Sequence, residues 1–379
     1  MRYLGPFSLF IFFLLFACSN CYAQDQDIKK GQGFGIEANL FEGKVLKHSS
    51  KFRLPIPEMS TGADINFQWK TYGKKEWQQR RRYPIIGLGF TYTNYGIDSV
   101  YGHLFSMYPN ILIPLITGRK LEWTLRIGDG ICYSTKAYSR IPMDTVNGAI
   151  GSRINDYFSF MTDLRYHINH HWDVQVGVNF SHYSDGSFHQ PNLGINLYGA
   201  HVGVRYSPVT SEPKIIRRNL KLLKNRWLFQ LRGTMGFNAS NAPLGPVYPV
   251  YLGSAYISKR WKSKNKLFGG FDYSYSQQIY AYLRNNGFGA RGDEKWNSFK
   301  TAVFAGNEFL LGKIGVVLQV GYYTHQTFDI QEPYYEKLGG NFYIIQKEHG
   351  LVKEFFLSGF LEAHLAVAEF AEFGFGIGL

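Results

Sequence analysis

Between Trp172 and Ser184 the chain alternates without a break. Trp172, Val174, Val176, Val178 and Phe180 are apolar, while Asp173, Gln175, Gly177, Asn179 and Ser181 between them are polar or small. A period of two puts the first set on one face of a strand and the second on the other. The pattern returns with Tyr198, Ala200, Val202, Val204 and Tyr206 set against Gly199, His201, Gly203 and Arg205. Candidate strands follow one another from residue 34 to residue 379 at intervals of roughly 10 to 20 residues. They include separate runs at 121–127 and 130–138, and none between 95 and 121. So many one-sided strands need an apolar cover for their dry faces. Beyond the N-terminal segment no stretch reaches the roughly 18 to 20 uninterrupted apolar residues of a membrane helix, so helical spans are excluded. The fold class is therefore all-β: a closed antiparallel transmembrane β-barrel whose continuous dry face meets lipid. Single-chain bacterial barrels close on even counts, and about 14 strands are expected here, within a range of roughly 12 to 16.

The N-terminus supports this membrane. Arg2 precedes an apolar run over residues 7–17, and small residues surround a cut after Ala23, which is the layout of a cleaved secretory signal peptide over residues 1–23. Lipidation at Cys18 is the weaker reading, because Phe16 is bulky for that site. Residues 24–379 then form one barrel, with no linker that demands a second domain. Twenty-seven Tyr, 31 Phe and 41 Gly at a mean hydropathy of −0.21 suit alternating strands with aromatic girdles. Only Cys132 survives cleavage, which excludes an intramolecular disulfide and a cysteine metal site. The net charge of +13 suits anionic headgroups, and export argues against nucleic acid. The expected localisation is the outer membrane of a Gram-negative cell.

Turns set the orientation. Leu311-Gly312-Lys313 and the turn 168–171 each separate two alternating runs tightly. Short turns of such barrels lie on the periplasmic side, so the strand from Trp172 runs outward and 185–195 is an external loop. Two basic runs, 74–82 and 214–221, read first as solvated loops, the second on the periplasmic side.

His182 and Ser184 continue the dry face of the Trp172 strand, and Asn196 joins the dry face of the next. Ester chemistry needs a nucleophilic hydroxyl, a base within reach, a group orienting that base, and donors for the developing oxyanion. Residues two apart on a strand share a face at about 6.5 to 7 Å between Cα atoms, a span an imidazole can bridge. Asn196 is placed to hold the imidazole through its amide oxygen. The main-chain N–H groups of Asp185 and Gly186, or the Asn192 amide, are candidates for the oxyanion hole.

The segment 180–196, with His182, Ser184, Pro191-Asn192 and Gly194, resembles the signature of the outer-membrane lipid A 3-O-deacylases, the PagL-type acyloxyacyl hydrolases. The resemblance implies a serine esterase that removes an ester-linked fatty acyl chain from lipid A, with lipopolysaccharide and outer-membrane lipids as partners and no cofactor or metal. It carries the general base to His182, the nucleophile to Ser184 and an oxyanion donor to Asn192. Two positions depart from the better-known members: Asp185 stands where they have asparagine, and Asn196 where they have a glutamate. An asparagine orients an imidazole but gives no charge to the imidazolium. Residues 147–152 and the C-terminal stretch 369–376 resemble longer members with extra strands.

Asp163, Arg165, Asp173, Gln175, His201 and Arg205 have lumen parity, where charges pair to fill a barrel. His170-His171 lies in a turn without partners at metal-ligand spacing, and Arg291-Gly292-Asp293 sits in a polar loop. The rival readings are a non-catalytic barrel, porin or structural, and an esterase for phospholipid.

Overall fold

The computed structural model describes residues 31–47, 54–141, 146–220, 227–240, 242–261, 264–288, 292–326, 332–365 and 367–379. The signal segment with Cys18 lies outside them, as does Arg291. Among the described residues sixteen strands form two closed antiparallel barrels of eight. This corrects the expected single barrel of about 14 strands.

The first barrel runs through β1 (Phe34–Leu46), β2 (Ser60–Lys70), β3 (Ile85–Asn94), β4 (His103–Thr117), β5 (Leu121–Ser134), β6 (Ile154–His167), β7 (Trp172–Ser184) and β8 (Ile195–Tyr206). A short helix, α1 (Glu76–Arg80), lies between β2 and β3. The ladder closes between β1 and β8, from Ile36↔Tyr206 to Leu46↔Asn196. Alternation gives each strand two faces, but it does not say which strand closes on which. The first and last strands of a barrel are joined by pairing across the whole unit, and that pairing leaves no local mark.

β4 was not foreseen, and the two runs assigned to 121–138 are mainly one strand, β5. The sequence around β4 is broken by Pro109 and Pro114. Pro109 sits where the ladder to β5 is interrupted, between Met107↔Ile131 and Asn110↔Gly128, and the register shifts between Pro114 and Ile116. Proline lacks the N–H a ladder needs, so it is tolerated at such irregularities.

The second barrel comprises β9 (Trp227–Ala239), β10 (Val247–Trp261), β11 (Asn265–Ser276), β12 (Phe299–Leu311), β13 (Ile314–His325), β14 (Tyr334–Gln346), β15 (Glu354–His364) and β16 (Val367–Gly378), with α2 (Gln277–Asn286) after β11. It closes between β9 and β16, from Gln230↔Gly378 to Phe237↔Ala371. The tight hairpin at Gly312 joins β12 to β13, as its sequence indicated.

Both interiors are filled by charge. In the first barrel Glu37 takes Arg126 at 3.0 Å and Arg165 at 2.7 Å, and Arg126 also reaches Asp64 at 2.5 Å. The residues expected in the lumen pair there: Arg165 Nε donates to Gln175 (3.0 Å), Arg205 meets Asp173 (3.0 Å), and His201 meets Asp163 (2.5 Å). In the second barrel Lys337 lies 2.9 Å from Glu372 and 3.0 Å from Glu362, and Lys266 lies 2.6 Å from Glu354. An eight-stranded barrel has an interior just wide enough for side chains, and opposed charges let polar residues fill it. The outer faces carry the apolar set: Trp172, Val174, Val176 and Val178 are all exposed, and Asp173, Gln175, Asn179 and Ser181 are buried.

Replacing Glu37 by Ala would take one carboxylate partner from each of two buried guanidinium groups, Arg126 and Arg165. Removing one partner of a buried pair costs about 3–5 kcal/mol. Urea unfolding of the vesicle-reconstituted protein should register a loss of that order, and a change of less than about 0.5 kcal/mol would show that the network does not hold this barrel.

Candidate active site

The site forms at the long-loop end of the first barrel, where β6, β7 and β8 lie side by side. In β7 Tyr183 points inward, buried at 1% exposure. Its ring lies 4.9 Å from that of Tyr157, which in turn lies 5.0 Å from Tyr108, and its hydroxyl bonds Thr93 Oγ1 at 2.8 Å. At this end the interior thus changes from ion pairs to packed phenol rings. With Tyr183 anchored inside, the pleat turns His182 and Ser184 to the outer face on either side of it. This is the face expected of them. His182 is partly exposed and Ser184 buried.

Cross-strand register supplies the partners. His182 stands opposite Asn196 on β8, and the imidazole Nδ1 lies 2.5 Å from Asn196 Oδ1. An amide oxygen only accepts, so this contact puts the ring proton on Nδ1 and the basic lone pair on Nε2. Asn192 Nδ2 donates to Ser184 Oγ at 3.0 Å, and the Asp185 N–H donates to Asn192 Oδ1 at 3.4 Å. Ser184, His182, Asn196, Asn192 and Asp185 are thus brought together. Gly186 follows with a positive φ of 66°, a conformation glycine adopts without strain.

Gly194 is required by its surroundings. Its φ is +68°, and a Cβ there would stand 2.9 Å from His182 Cε1 and 3.0 Å from the Tyr183 carbonyl oxygen. The loop between β5 and β6 holds it in place. The Leu193 N–H donates to the Gly148 carbonyl (3.3 Å) and the Gly194 N–H to the Ala149 carbonyl (3.1 Å). Asn147 Oδ1 shapes that loop by accepting from the Ala149 and Ile150 N–H groups at 3.3 and 3.2 Å. Residues 147–150 therefore brace the site from behind.

One neighbour was missed. Asp156 on β6 stands directly opposite Ser184 in register, and its carboxyl lies within hydrogen-bond reach of that of Asp129 on β5. Strand parity alone puts both on the outer face, but only the register of β6 on β7 brings Asp156 to the serine.

In the second barrel Glu362, His364 and Glu369 place potential ligand atoms within 4.8 Å of one another. Lys337 lies 3.0 Å from Glu362, Lys300 lies 3.2 Å from Glu369, and Tyr323 Oη donates to Glu362 at 2.9 Å. These ammonium groups already supply the positive charge that a cation would bring, so the cluster is an ion-pair network.

Residues 61–205 match the family model described as lipid A 3-O-deacylase (PagL), and residues 225–379 match that of the acyloxyacyl hydrolase C-terminal domain. No curated protein sequence matches the chain. Among solved structures, Neisserial surface protein A is 12% identical over 46% of this chain and 97% of its own, with a TM-score of 0.33. The outer membrane enzyme PagL is 18% identical over 45% of this chain and 97% of its own, with a TM-score of 0.29.

The Nδ1 contact has a spectroscopic signature. ¹⁵N spectra of histidine-labelled protein at neutral pH should show His182 as the Nδ1–H tautomer, and Asn196→Ala should convert it to a tautomer mixture. A variant spectrum identical to that of the parent would contradict the role given to Asn196.

Proposed function

Because the chain belongs to the PagL-type lipid A 3-O-deacylases, the acyloxyacyl hydrolases, we propose that its outer-membrane deacylation of lipid A runs through Ser184 as nucleophile and His182 as base. The protein is a carboxylic ester hydrolase. The observation that carries the mechanism is the pair of contacts on one outer face: His182 Nδ1 to Asn196 Oδ1 at 2.5 Å, and Asn192 Nδ2 to Ser184 Oγ at 3.0 Å.

Ser184 Oγ attacks the ester carbonyl carbon while His182 Nε2 takes its proton. The carbonyl π electrons move to oxygen, and the Asn192 amide, held through its Oδ1 by the Asp185 N–H, is the donor best placed to meet that oxyanion. Collapse of the tetrahedral intermediate breaks the bond to the sugar oxygen, which leaves with the proton from His182. Water, activated by the same imidazole, then attacks the acyl-serine and releases the fatty acid.

The outer-face position supports a substrate that arrives through the lipid, its acyl chain already beside the barrel wall. Ion-paired filling of the lumen favours this reading over the porin one, since such side chains occupy the space a channel would use. Short turns at the opposite end of the barrel support a site at the outer leaflet, where lipopolysaccharide resides. The reading of residues 1–23 as a signal peptide supports export to this membrane.

Mass spectrometry of lipid A, with and without the protein, tests the reading. Ser184→Ala should abolish fatty acid release while heat-modifiable barrel folding is retained, and release at the parental rate would exclude Ser184 as nucleophile. Asn192→Ala should lower kcat by roughly 10²–10³, the usual worth of one oxyanion donor. Asn196→Ala should lose activity, whereas Asn196→Glu should keep or raise it by adding charge beside the imidazolium. Equal, unchanged activity in both Asn196 variants would place the orienting group elsewhere.

A further inference from the structure

The two basic runs lie far apart in sequence, yet the fold joins them at the short-turn end of the first barrel. Gln79 on α1 makes a reciprocal pair with Arg218: its Nε2 donates to the Arg218 carbonyl at 2.6 Å, and its Oε1 accepts the Arg218 N–H at 2.9 Å. The Ile216 N–H donates to the Tyr72 carbonyl at 2.8 Å, and Tyr83 Oη donates to the Ile216 carbonyl at 3.3 Å. Gly73 permits the close approach, since its φ is +95° and a Cβ there would lie 2.4 Å from the Ile216 carbonyl oxygen. The second run is therefore a docked strap against α1.

The docked strap merges the two charge runs into one surface. Lys75 and Arg82 are exposed on the α1 side, and Lys214, Arg217 and Arg218 on the strap. The acid between them, Glu76, already engages Arg80 at 3.2 Å. Ile215 is 49% exposed among these cations. The lipid-facing wall at this same end carries exposed Trp69, Trp123, Tyr166 and Trp172, an aromatic belt of the kind that sits at headgroup level. A basic collar with an apolar residue at its centre, set just beyond such a belt, has the composition of a surface for anionic headgroups.

We infer that this collar binds anionic phospholipid headgroups of the inner leaflet. The inference rests on the orientation in which the short turns face the periplasm, and it is independent of the ester chemistry at the other end of the barrel. The lipid phosphates meet the guanidinium and ammonium groups, and the strap's docking holds the two runs at one height.

Native mass spectrometry of the full chain in detergent, offered equal amounts of phosphatidylglycerol and phosphatidylethanolamine, tests it. The parent protein should retain the anionic lipid preferentially, with the preference falling as salt rises. Each basic residue near such a surface is worth up to about fivefold, so R82Q/K214Q/R217Q/R218Q should abolish the preference. Q79A, which removes both contacts that hold Arg218 to α1 and leaves every charge in place, should reduce it. Heat-modifiable mobility reports that the variants fold, and lipid A deacylation, read separately, should stay at the parental level. Equal retention of the two lipids by the parent, or undiminished preference in the quadruple variant, would overturn the inference. So would charge-dependent capture of purified peptidoglycan without lipid preference.

Discussion

A strand in lipid has no water to satisfy its edge, so every backbone N–H and C=O along it must find another strand. For this chain the rule is met twice, by the β1–β8 ladder in the first barrel and the β9–β16 ladder in the second. Closure fixes register, and register fixes the site. His182 meets Asn196 because β7 and β8 pair as they do, and the last pair of the closing ladder, Leu46↔Asn196, ties that same asparagine to β1. A slip of one residue would turn His182 and Ser184 to the interior and Tyr183 to the outside.

The site works against the grain of its surface. A lipid-facing wall favours apolar side chains, and His182, Ser184 and Asn196 continue the face that Val174, Val176 and Val178 begin. Their polar groups find partners: the imidazole meets the Asn196 amide at 2.5 Å, and the Ser184 hydroxyl meets the Asn192 amide from the adjoining loop at 3.0 Å. The same pairing that lowers the cost of polar atoms near lipid also gives the imidazole its tautomer and the serine its amide neighbour. Inside the wall Tyr183 holds the pleat, so a packed phenol cluster underlies the placement of the groups outside it.

Much of this was legible. The alternation of β7 gave its two faces, the spacing of His182 and Ser184 put both on one of them, and the parity of Asp163, Arg165, Asp173, Gln175, His201 and Arg205 foretold a paired interior. Asn196 was placed beside His182 from its parity and its position at the start of the next antiparallel strand. What stayed hidden depended on non-local pairing. Closure into two barrels is decided by ladders between strands far apart in the chain. β4 was masked by Pro109 and Pro114, whose lost hydrogen bonds fall where the ladder is already irregular. Asp156 reaches Ser184 only through the β6–β7 register, and the union of the two basic runs needed Gln79 and Gly73, neither of which carries a signal by itself. Gly194 stood in the sequence signature, but its reason, an imidazole 2.9 Å from where a Cβ would be, is three-dimensional.

The central claim is that Ser184 Oγ is made nucleophilic by His182. Covalent trapping tests it most directly: the folded protein is treated with a long-chain fluorophosphonate, which phosphonylates only activated hydroxyls, and its peptides are mapped by mass spectrometry. The account predicts one adduct per chain, on Ser184, lost when His182 is replaced by Ala. An adduct on a different residue, or labelling of Ser184 that persists without His182, would contradict it.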